Sequence, residues 1–350
     1  MLEILYFDKG KDVTIKIIHQ NKFNAKTNIR IYSNFSHFFY SHGRFYFLVW
    51  KNEANLCLFT LNRFDEFVEI VCDLSEYDAK SDLCPFVINP QLPGLIYVNL
   101  KRKEQKPITY ISYDNGKRFI PIQFKDKSSK TGKCGVELDF ICSVDLIKNH
   151  FPDSRIAKFQ GTIHGDRPVK RRMFVSFTGG DIWRMLDSRV DKCVILNLGW
   201  LIFCTEKKSG KIKYSHAEGL EWYKGFVGAH NIIDLIPLES EKYSVIAAVN
   251  YNEKQKLHSL FTFNFPHVAS RLCLMKEYMC ESNDLETWYI PRIFGNCYRG
   301  QKISYIKKKK FKTCIDNRQL VAPTVNPCPC SLEDFEWYHF FSIVNEITIM

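Results

Sequence analysis

The stretch Phe174-Val-Ser-Phe-Thr-Gly-Gly-Asp-Ile-Trp183 has the composition of a strand, a tight turn and the start of a second strand. Its short polar residues and glycines stand where a β-turn needs them, and Trp183 can fold back over the turn. The pattern Ser-x-(Asp/Thr/Ala)-x-Gly-x-x-aromatic recurs at Tyr110–Phe119 and at Tyr214–Trp222. One such turn would mean little, but three copies predict a repeated β unit.

Each position of the motif has a physical role in a turn. We expect the Ser and Asp-type side chains to bond backbone amides, the Gly to adopt a left-handed conformation, and the aromatic ring to plug the turn against its sheet. Thr178 and Ala217 replace Asp in two copies, so we expect those turns to lose part of their hydrogen bonding. The residues given these structural roles are Ser112, Asp114, Gly116, Phe119, Ser176, Thr178, Gly180, Trp183, Ser215, Ala217, Gly219 and Trp222.

The spacing of the motif predicts the architecture. Degenerate copies at Tyr6–Val13 and Thr60–Phe67 bring the total to five, with starts at positions 6, 60, 112, 176 and 215. The starts differ by 54, 52, 64 and 39 residues, about what a four-stranded propeller blade occupies. A sixth unit without the turn follows in three apolar runs, Ile233–Leu238, Tyr243–Val249 and Leu257–Phe265. We therefore predict an all-β partial β-propeller, with a short helix at Val268–Met279 after it.

Composition narrows the class of protein further. The 350 residues are 45% hydrophobic and 15% aromatic, which suits a β-rich core. The net charge of +11 is spread along the chain without a nucleic-acid-binding motif, so we predict no nucleic-acid partner. The run Lys307–Lys310 is either a solvated strand end or a patch for an anionic ligand. We predict no signal peptide and no membrane span within this sequence, because it lacks an N-terminal apolar h-region and any apolar run of ~18 residues.

The 13 cysteines predict disulfides. Five of them lie between Cys280 and Cys330, including Cys328-Pro-Cys330, and this density in a loop-rich segment is typical of a disulfide-stapled module. Zinc is the poorer alternative, because a Cys-x-Cys pair without a nearby His does not match the usual ligand spacings. Cys193 and Cys204 flank a hairpin centred near Leu198-Gly199, where a cross-strand disulfide and two buried thiols both remain open.

The closing segment Cys328–Phe335 resembles the cysteine-rich module that follows the propeller in sortilin-type receptors, the vacuolar-protein-sorting-ten domain family. The Ser176 turn, the run Gly199-Trp200-Leu-Ile-Phe203 and the Ser215 turn occur in the order and spacing of that family's last blades. The disulfide candidates that the resemblance implies are Cys134, Cys142, Cys273, Cys297, Cys314, Cys328 and Cys330, with Cys134 linked to Cys142.

The resemblance implies a fold and a function. The family has a ten-bladed propeller, cysteine-rich modules, one membrane span and a cytoplasmic tail. Its members are type I receptors rather than enzymes, move between Golgi, endosomes and the plasma membrane, and bind propeptides, peptides or proteins such as hydrolases. The implied division is 1–268 as roughly the last six blades, 269–335 as the cysteine-rich module and 336–350 as a divergent tail. We expect a part of a longer receptor, with a natural soluble short form as the alternative.

Site residues carry over poorly from the family. The arginine that holds a peptide carboxylate in some members has no counterpart in Val68–Lys80, so the ligand-binding residues are unknown. Asn34-Phe-Ser36 is a glycosylation candidate at Asn34. We predict no catalytic residue, no cofactor and no metal site.

Two other functions compete with the receptor. A sialidase-like glycoside hydrolase also uses such turns, but it needs an arginine cluster and a Tyr/Glu pair on the propeller axis. His164 in Ile163–Asp166 is the only catalytic-looking cluster, and we interpret it as a loop. No spacing singles out a set among the arginines considered, Arg102, Arg118, Arg167, Arg171 and Arg172. A purely structural interaction fragment is the third hypothesis.

Overall fold

The structure is a computed structural model. It describes residues 2–9, 12–19, 26–31, 35–52, 55–62, 67–75, 83–102, 105–124, 135–141, 147, 149–164, 171–186, 189–196, 199, 201–207, 209–216, 218–240, 243–264, 280–293, 295–309, 312, 314 and 322–330.

Most described residues belong to antiparallel sheets that follow one another along the chain. Neighbouring strands in a sheet are mostly neighbours in sequence, because short turns join them. The first sheet contains β1 (Leu2–Lys9), β2 (Asp12–His19) and β3 (Lys26–Ile31). The second contains β4 (Phe35–Ser41), β5 (Arg44–Asn52), β6 (Asn55–Leu61) and β7 (Phe67–Val71).

The middle of the chain forms two larger sheets and a small pair. The third sheet contains β9 (Phe86–Ile88), β10 (Ile96–Arg102), β11 (Gln105–Ser112) and β12 (Ile120–Pro121). The fourth contains β14 (Val136–Leu138), β16 (Ala157–Ile163), β17 (Arg171–Ser176) and β18 (Ile182–Met185), with β13 (Gln123–Phe124) added in parallel to β18. The pair consists of β8 (Leu83–Cys84) and β15 (Phe140–Ile141).

Two further sheets complete the series. The fifth contains β19 (Val190–Leu196), β20 (Leu201–Glu206), β21 (Lys211–Ser215) and β22 (Tyr223–Phe226). The sixth contains three strands, β23 (Ile232–Ser240), β24 (Tyr243–Asn252) and β25 (Leu257–Asn264).

The cores lie between successive sheets. One cluster packs the second sheet on the third, and the next packs the third on the fourth around Tyr97, Phe159 and Trp183. Two more pack the fourth on the fifth and the fifth on the sixth. Face-to-face packing of consecutive meanders is the arrangement of propeller blades. The all-β prediction is confirmed, and the six sheets are consistent with a partial propeller.

The cysteine-rich segment, called the module below, forms a separate small sheet. A 3₁₀ turn at Ser282–Asp284 leads into β26 (Leu285–Tyr289), β27 (Cys297–Tyr298), β28 (Gln301–Lys308) and β29 (Thr324–Pro327). β26 pairs with β28, and β28 also pairs with β27 and β29. Two disulfides, Cys280–Cys314 and Cys297–Cys328, close this sheet. The helix expected at Val268–Met279 lies outside the described residues.

Candidate functional site

The first motif turn joins β11 to β12. The buried Ser112 Oγ accepts hydrogen bonds from the amides of Gly116 at 2.8 Å and Asp114 at 3.3 Å, and donates to Asp114 Oδ1 at 2.8 Å. Asp114 Oδ1 in turn accepts the Arg118 amide at 3.0 Å. Phe119 packs on the cluster between the second and third sheets. One short side chain therefore replaces several backbone partners that the turn lacks.

The second motif turn, between β17 and β18, has the same construction. Ser176 Oγ accepts the Gly180 amide at 2.9 Å and the Thr178 amide at 3.3 Å. Thr178 Oγ1 accepts the Ile182 amide at 3.0 Å, the bond that Asp114 makes in the first turn. The expectation that Thr178 weakens its turn by losing this bond is wrong, because the hydroxyl oxygen reaches the same amide. Trp183 is fully buried and its Nε1 donates to the Gly180 carbonyl at 2.8 Å.

The third motif turn, between β21 and β22, keeps the serine and the tryptophan contacts. Ser215 Oγ accepts the Gly219 amide at 3.0 Å, and Trp222 Nε1 donates to the Gly219 carbonyl at 2.9 Å. Ala217 lies outside the described residues. The indole bond to the glycine carbonyl, present in two turns, explains why tryptophan suits the final position of the motif.

Glycine is required in these turns for two reasons. Gly116 and Gly180 have φ of +93° and +92°, where a Cβ is strained. A Cβ at Gly180 would also collide with the Tyr97 hydroxyl, and one at Gly116 with Ile70. Each turn is thus pressed against the sheet before it, which ties neighbouring blades together.

The degenerate copies differ from this pattern. Thr60 Oγ1 donates to the Phe45 carbonyl at 2.8 Å on the neighbouring strand, and residues 63–66 of that copy lie outside the described part of the chain. At Tyr6–Val13, β1 and β2 form a hairpin in which Lys9 pairs with Asp12. Residues 10 and 11 at its tip are likewise outside.

The module sits on the face of the sheets that carries these turns. Arg292 Nη1 donates to the carbonyls of Pro93 at 3.0 Å and Tyr113 at 2.8 Å, next to the first motif turn. Its guanidinium lies 4.1 Å from the centre of the Tyr298 ring. Burial lowers the pKa of Arg292 to about 10, and the nearby Tyr298 and Asp114 partly oppose this decrease. Arg292 therefore anchors the module to the third sheet.

The second motif turn contacts the module through aromatic packing. A Cβ placed on Gly179, whose φ is +63°, would lie 3.0 Å from the Trp288 ring and 3.2 Å from Pro291. Trp288 is 9% exposed and belongs to the same core cluster as Trp183. The core of the third and fourth sheets thus continues into the module.

The third motif turn lies near the basic run of the module. Burial, together with the Lys308 ammonium, lowers the pKa of His216 to about 4. Lys307 is buried and pairs with Glu286 at 2.9 Å, and Lys309 Nζ donates to the Asn283 carbonyl at 2.8 Å. The described part of the Lys307–Lys310 run is therefore held by the protein itself rather than presented as an open patch for anions.

The structure shows how several of the cysteines singled out in the sequence are paired. Cys193 and Cys204 are directly opposed on β19 and β20 and form a disulfide, which settles the alternative left open above. Cys297 pairs with Cys328, both candidates, whereas Cys314 pairs with Cys280, which was not among them. The expected disulfide at Cys330 is not formed in this structure, where its side chain is an exposed free thiol.

Other cysteines were missed or lie outside the described residues. Cys57 and Cys72 form a disulfide across β6 and the residue after β7. The signal was available, since the two cysteines lie at similar distances from the Thr60–Phe67 turn. Cys84 is also disulfide-bonded. Those outside the description are Cys134, Cys142 and Cys273, so the Cys134–Cys142 link stays a prediction.

The candidates for enzymatic chemistry do not form a common site among the described residues. His164 Nε2 contacts the Pro107 carbonyl, which gives it a structural partner. Arg171 pairs with Asp139 at 3.0 Å, while Arg172 Nη1 contacts Met185 Sδ at 3.2 Å. Arg102 ends β10 and Arg118 follows the first motif turn, and Arg167 lies outside the described ranges.

One cluster among the described residues has the spacing of metal ligands. Cys57, Glu69 and Cys72 approach one another closely enough to hold an ion, but the disulfide uses both sulfurs. Within the described ranges, no helix has the length and apolar character to cross a membrane. Asn34 lies outside those ranges.

Comparison with known proteins shows which family the chain resembles. Residues 237–346 match the family described as "Sortilin, neurotensin receptor 3, C-terminal". The vacuolar protein sorting/targeting protein 10 of Paracoccidioides brasiliensis is 24% identical over 271 residues, covering 70% of this chain and 17% of that protein. Its namesake from Schizosaccharomyces pombe is 23% identical over 278 residues, covering 72% and 19%. The C-terminal part of the chain is similar to the sortilin family.

The chain spans less than a fifth of the length of those two relatives. Their names describe vacuolar protein sorting and targeting. Among solved structures, a eukaryotic initiation factor covers 75% of this chain and 62% of its own, with 12% identity and a TM-score of 0.36. A GH74 enzyme from Niastella koreensis covers 73% and 54%, with 10% identity and a TM-score of 0.22. Overlaps this low carry no functional argument.

Proposed function

We propose that this chain is part of the luminal ectodomain of a sorting receptor. The complete receptor would bind secreted or lysosomal proteins, propeptides or peptides and carry them between Golgi, endosome and plasma membrane. The match of residues 237–346 to the sortilin family supports the receptor role, and the names of the relatives support a role in sorting. The observation that carries the proposal here is the module seated on the motif turns, with Arg292 bonded beside the first turn and Trp288 packed against the second.

The proposal gives the motif residues a structural role. Ser112, Ser176 and Ser215 are buried and bonded to turn amides, so their hydroxyls have no access to a substrate. We divide the chain into residues 1–268 as propeller blades, 269–335 as the module and 336–350 as a divergent tail. The blades and the module then act as a scaffold that holds a ligand-binding surface in shape.

Ligand binding is proposed for the sheets rather than for the turn face, which the module occupies. The first strand of each later sheet lies at an edge of that sheet, and β4 presents exposed aromatic side chains at Phe38 and Tyr40. Sheet edges and exposed aromatic rings are features that extended peptides use for binding. Long flexible ligands therefore fit this surface better than small metabolites.

The test is performed on the complete receptor encoded by the full gene. Disruption of the gene should cause vacuolar or lysosomal hydrolase precursors to be secreted, and the purified receptor should capture their propeptides. Normal retention of the hydrolases together with absent capture would contradict the proposal. The purified chain should not hydrolyse a sialoside, and hydrolysis lost on Arg171→Gln would establish the glycosidase instead.

A further inference from the structure

Three cysteines lie close together at one edge of the module. Two of them form a disulfide, and the third is a free thiol. Cys297 is linked to Cys328, while Cys330 carries an exposed thiol two residues later. We call Cys297, Cys328 and Cys330 the edge cysteines. They raise the question of which of the two later cysteines is the partner of Cys297.

The thiol lies beside the existing disulfide. The Cys297 Sγ is 3.4 Å from the carbonyl oxygen of Pro329, the residue directly before Cys330. The Cys330 Sγ packs on Gly300, where an added Cβ would lie 3.0 Å from it, and the Cys328 amide donates to the Gly300 carbonyl at 2.9 Å. Both possible partners of Cys297 therefore lie against Gly300, in the hairpin turn between β27 and β28.

The local chain geometry suits an exchange between the two partners. Residues i and i+2 of an extended segment point to the same side, and Pro329 biases Cys328 toward an extended conformation. A shift of two residues along β28 keeps every side chain of β29 on its face, whereas a shift of one would invert them. β29 is exposed along its length, so such a shift disturbs no buried core.

Access distinguishes this disulfide from the other three that the structure describes in full. Each of those contains a buried cysteine, namely Cys57, Cys204 and Cys314. Cys297 and Cys328 are both only half-buried. Thiol–disulfide exchange requires that an attacking sulfur reach the bond, so the edge disulfide is the accessible one.

We propose that Cys330 and Cys328 exchange as the disulfide partner of Cys297, giving the module edge two covalent states. The Cys330 thiolate attacks the Cys297 sulfur, the bond from Cys297 to Cys328 breaks, and Cys328 leaves as a thiolate. Cys328 then takes up a proton from water, replacing the one that Cys330 released. No oxidant or reductant is consumed. The exchange moves the anchor of β29 by two residues, so it sets the position of this edge strand.

The experiment uses the full chain, purified without reductant and equilibrated at pH 8. After acid quenching, free thiols are alkylated with N-ethylmaleimide, and the protein is digested without reduction and analysed by mass spectrometry. Exchange predicts peptides linked through Cys297–Cys328 and through Cys297–Cys330, with alkylated Cys328 in on the order of one molecule in ten or more. The rate at which Cys328 becomes labelled should fall as the pH is lowered, because the thiolate is the attacking species.

Two cysteine variants test whether Cys330 can replace Cys328 as the partner of Cys297. Cys328→Ser should contain the Cys297–Cys330 disulfide, whereas the matched control Cys314→Ser should leave Cys280 as a thiol, because the structure places no spare cysteine beside it among the described residues. Alkylation of both Cys297 and Cys330 in Cys328→Ser would overturn the proposal. If that variant does not fold, the wild-type chain decides, and label confined to Cys330 at every time and pH overturns it.

Discussion

The fourth and sixth sheets pack on opposite faces of the fifth, yet they end in different environments. In the fourth, the Ser176 turn follows β17, Trp183 is 0% exposed and the module covers Gly179. In the sixth, the chain has no motif turn, and β25 leaves Leu260 64% exposed. Of these two sheets, the one with the motif turn is covered by the module, and the one whose sequence lacks the motif leaves an apolar side chain exposed.

Among the changes considered in these two sheets, replacement of Trp183 by Ala should lower the free energy of unfolding most. The change removes the indole from the core and its hydrogen bond to Gly180, so we expect a loss of about 3–5 kcal/mol in the free energy of unfolding. Leu260→Ala in the exposed face of the sixth sheet should stay within about 0.5 kcal/mol. Urea unfolding of the full chain measures both, and equal losses would remove the distinction between the two sheets.

Gly180→Ala tests the close approach of the turn to the third sheet. The variant combines a strained φ of +92° with a collision against the Tyr97 hydroxyl, so we expect a cost of about 2–4 kcal/mol. Gly43 is the matched control, because its φ is +76° but an added Cβ meets nothing within 4 Å. Gly43→Ala should cost only about 1–2 kcal/mol. A Gly180→Ala cost as small as that of the control would mean that the turn does not press on Tyr97.

Arg292→Met tests the anchor of the module. The variant keeps the aliphatic stem but leaves the carbonyls of Pro93 and Tyr113 without their donor, which should cost about 2–3 kcal/mol. Arg299→Met is the control, since Arg299 lies 5.6 Å from the same Tyr298 ring and is exposed. Limited proteolysis should cut the module faster in the first variant only, and equal cutting in both would argue against the anchor.

The pH dependence of stability tests the core between the third and fourth sheets. Burial lowers the pKa of His150 to about 4, although Nδ1 bonds to the Lys158 carbonyl at 2.9 Å. As the pH falls, His150 in the unfolded chain therefore takes up a proton near pH 6.5. In the folded chain it stays neutral down to about pH 4. The stability contributed by neutral His150 is fully present above pH 6.5 and is lost as the pH falls toward 4.

Between pH 7 and pH 5 this loss amounts to about 2 kcal/mol. His150→Gln should unfold with a correspondingly flatter pH profile, which denaturant unfolding at the two pH values measures. Parallel profiles for the two proteins would exclude His150 as the source.

The smallest expected effect concerns the residue at which the turns differ. Thr178→Ala should cost about 1 kcal/mol because the Ile182 amide loses its acceptor, whereas Thr178→Asp should be close to neutral because the carboxylate accepts the same bond. Thermal melts of the two variants compare them directly. A gain of several degrees on Thr178→Asp would restore the expectation that threonine weakens the turn.

Local patterns explain what the sequence made predictable. Ser176, Gly180 and Trp183 interact with one another within eight positions, so their spacing specified the turn before any fold was known. The position of the hairpin placed Cys193 opposite Cys204 but left a disulfide and two thiols open, which the structure decides in favour of the disulfide, and Cys57–Cys72 was accessible to the same reasoning. These features depend on turn chemistry and strand register alone.

The position at which the module packs on the motif turns was not predictable in this way. Arg292 bonds to carbonyls 199 and 179 positions earlier in the chain, and a carbonyl carries no mark of its partner in the sequence. Trp288 likewise reads as an ordinary apolar residue of a strand. Its contact with Gly179 depends on how the module packs on the turn face, which local patterns do not specify.

Hydrogen exchange at the motif turns tests the central claim most directly. The measurement compares amide protection in the full chain and in Arg292→Met, with the hairpin Asn252–Lys256 of the sixth sheet as the internal reference. We predict that the Gly116 and Gly180 amides, which are bonded to Ser112 and Ser176, exchange faster in the variant while the reference hairpin is unchanged. Unchanged protection at both turns in a variant whose module has become susceptible to protease would contradict it.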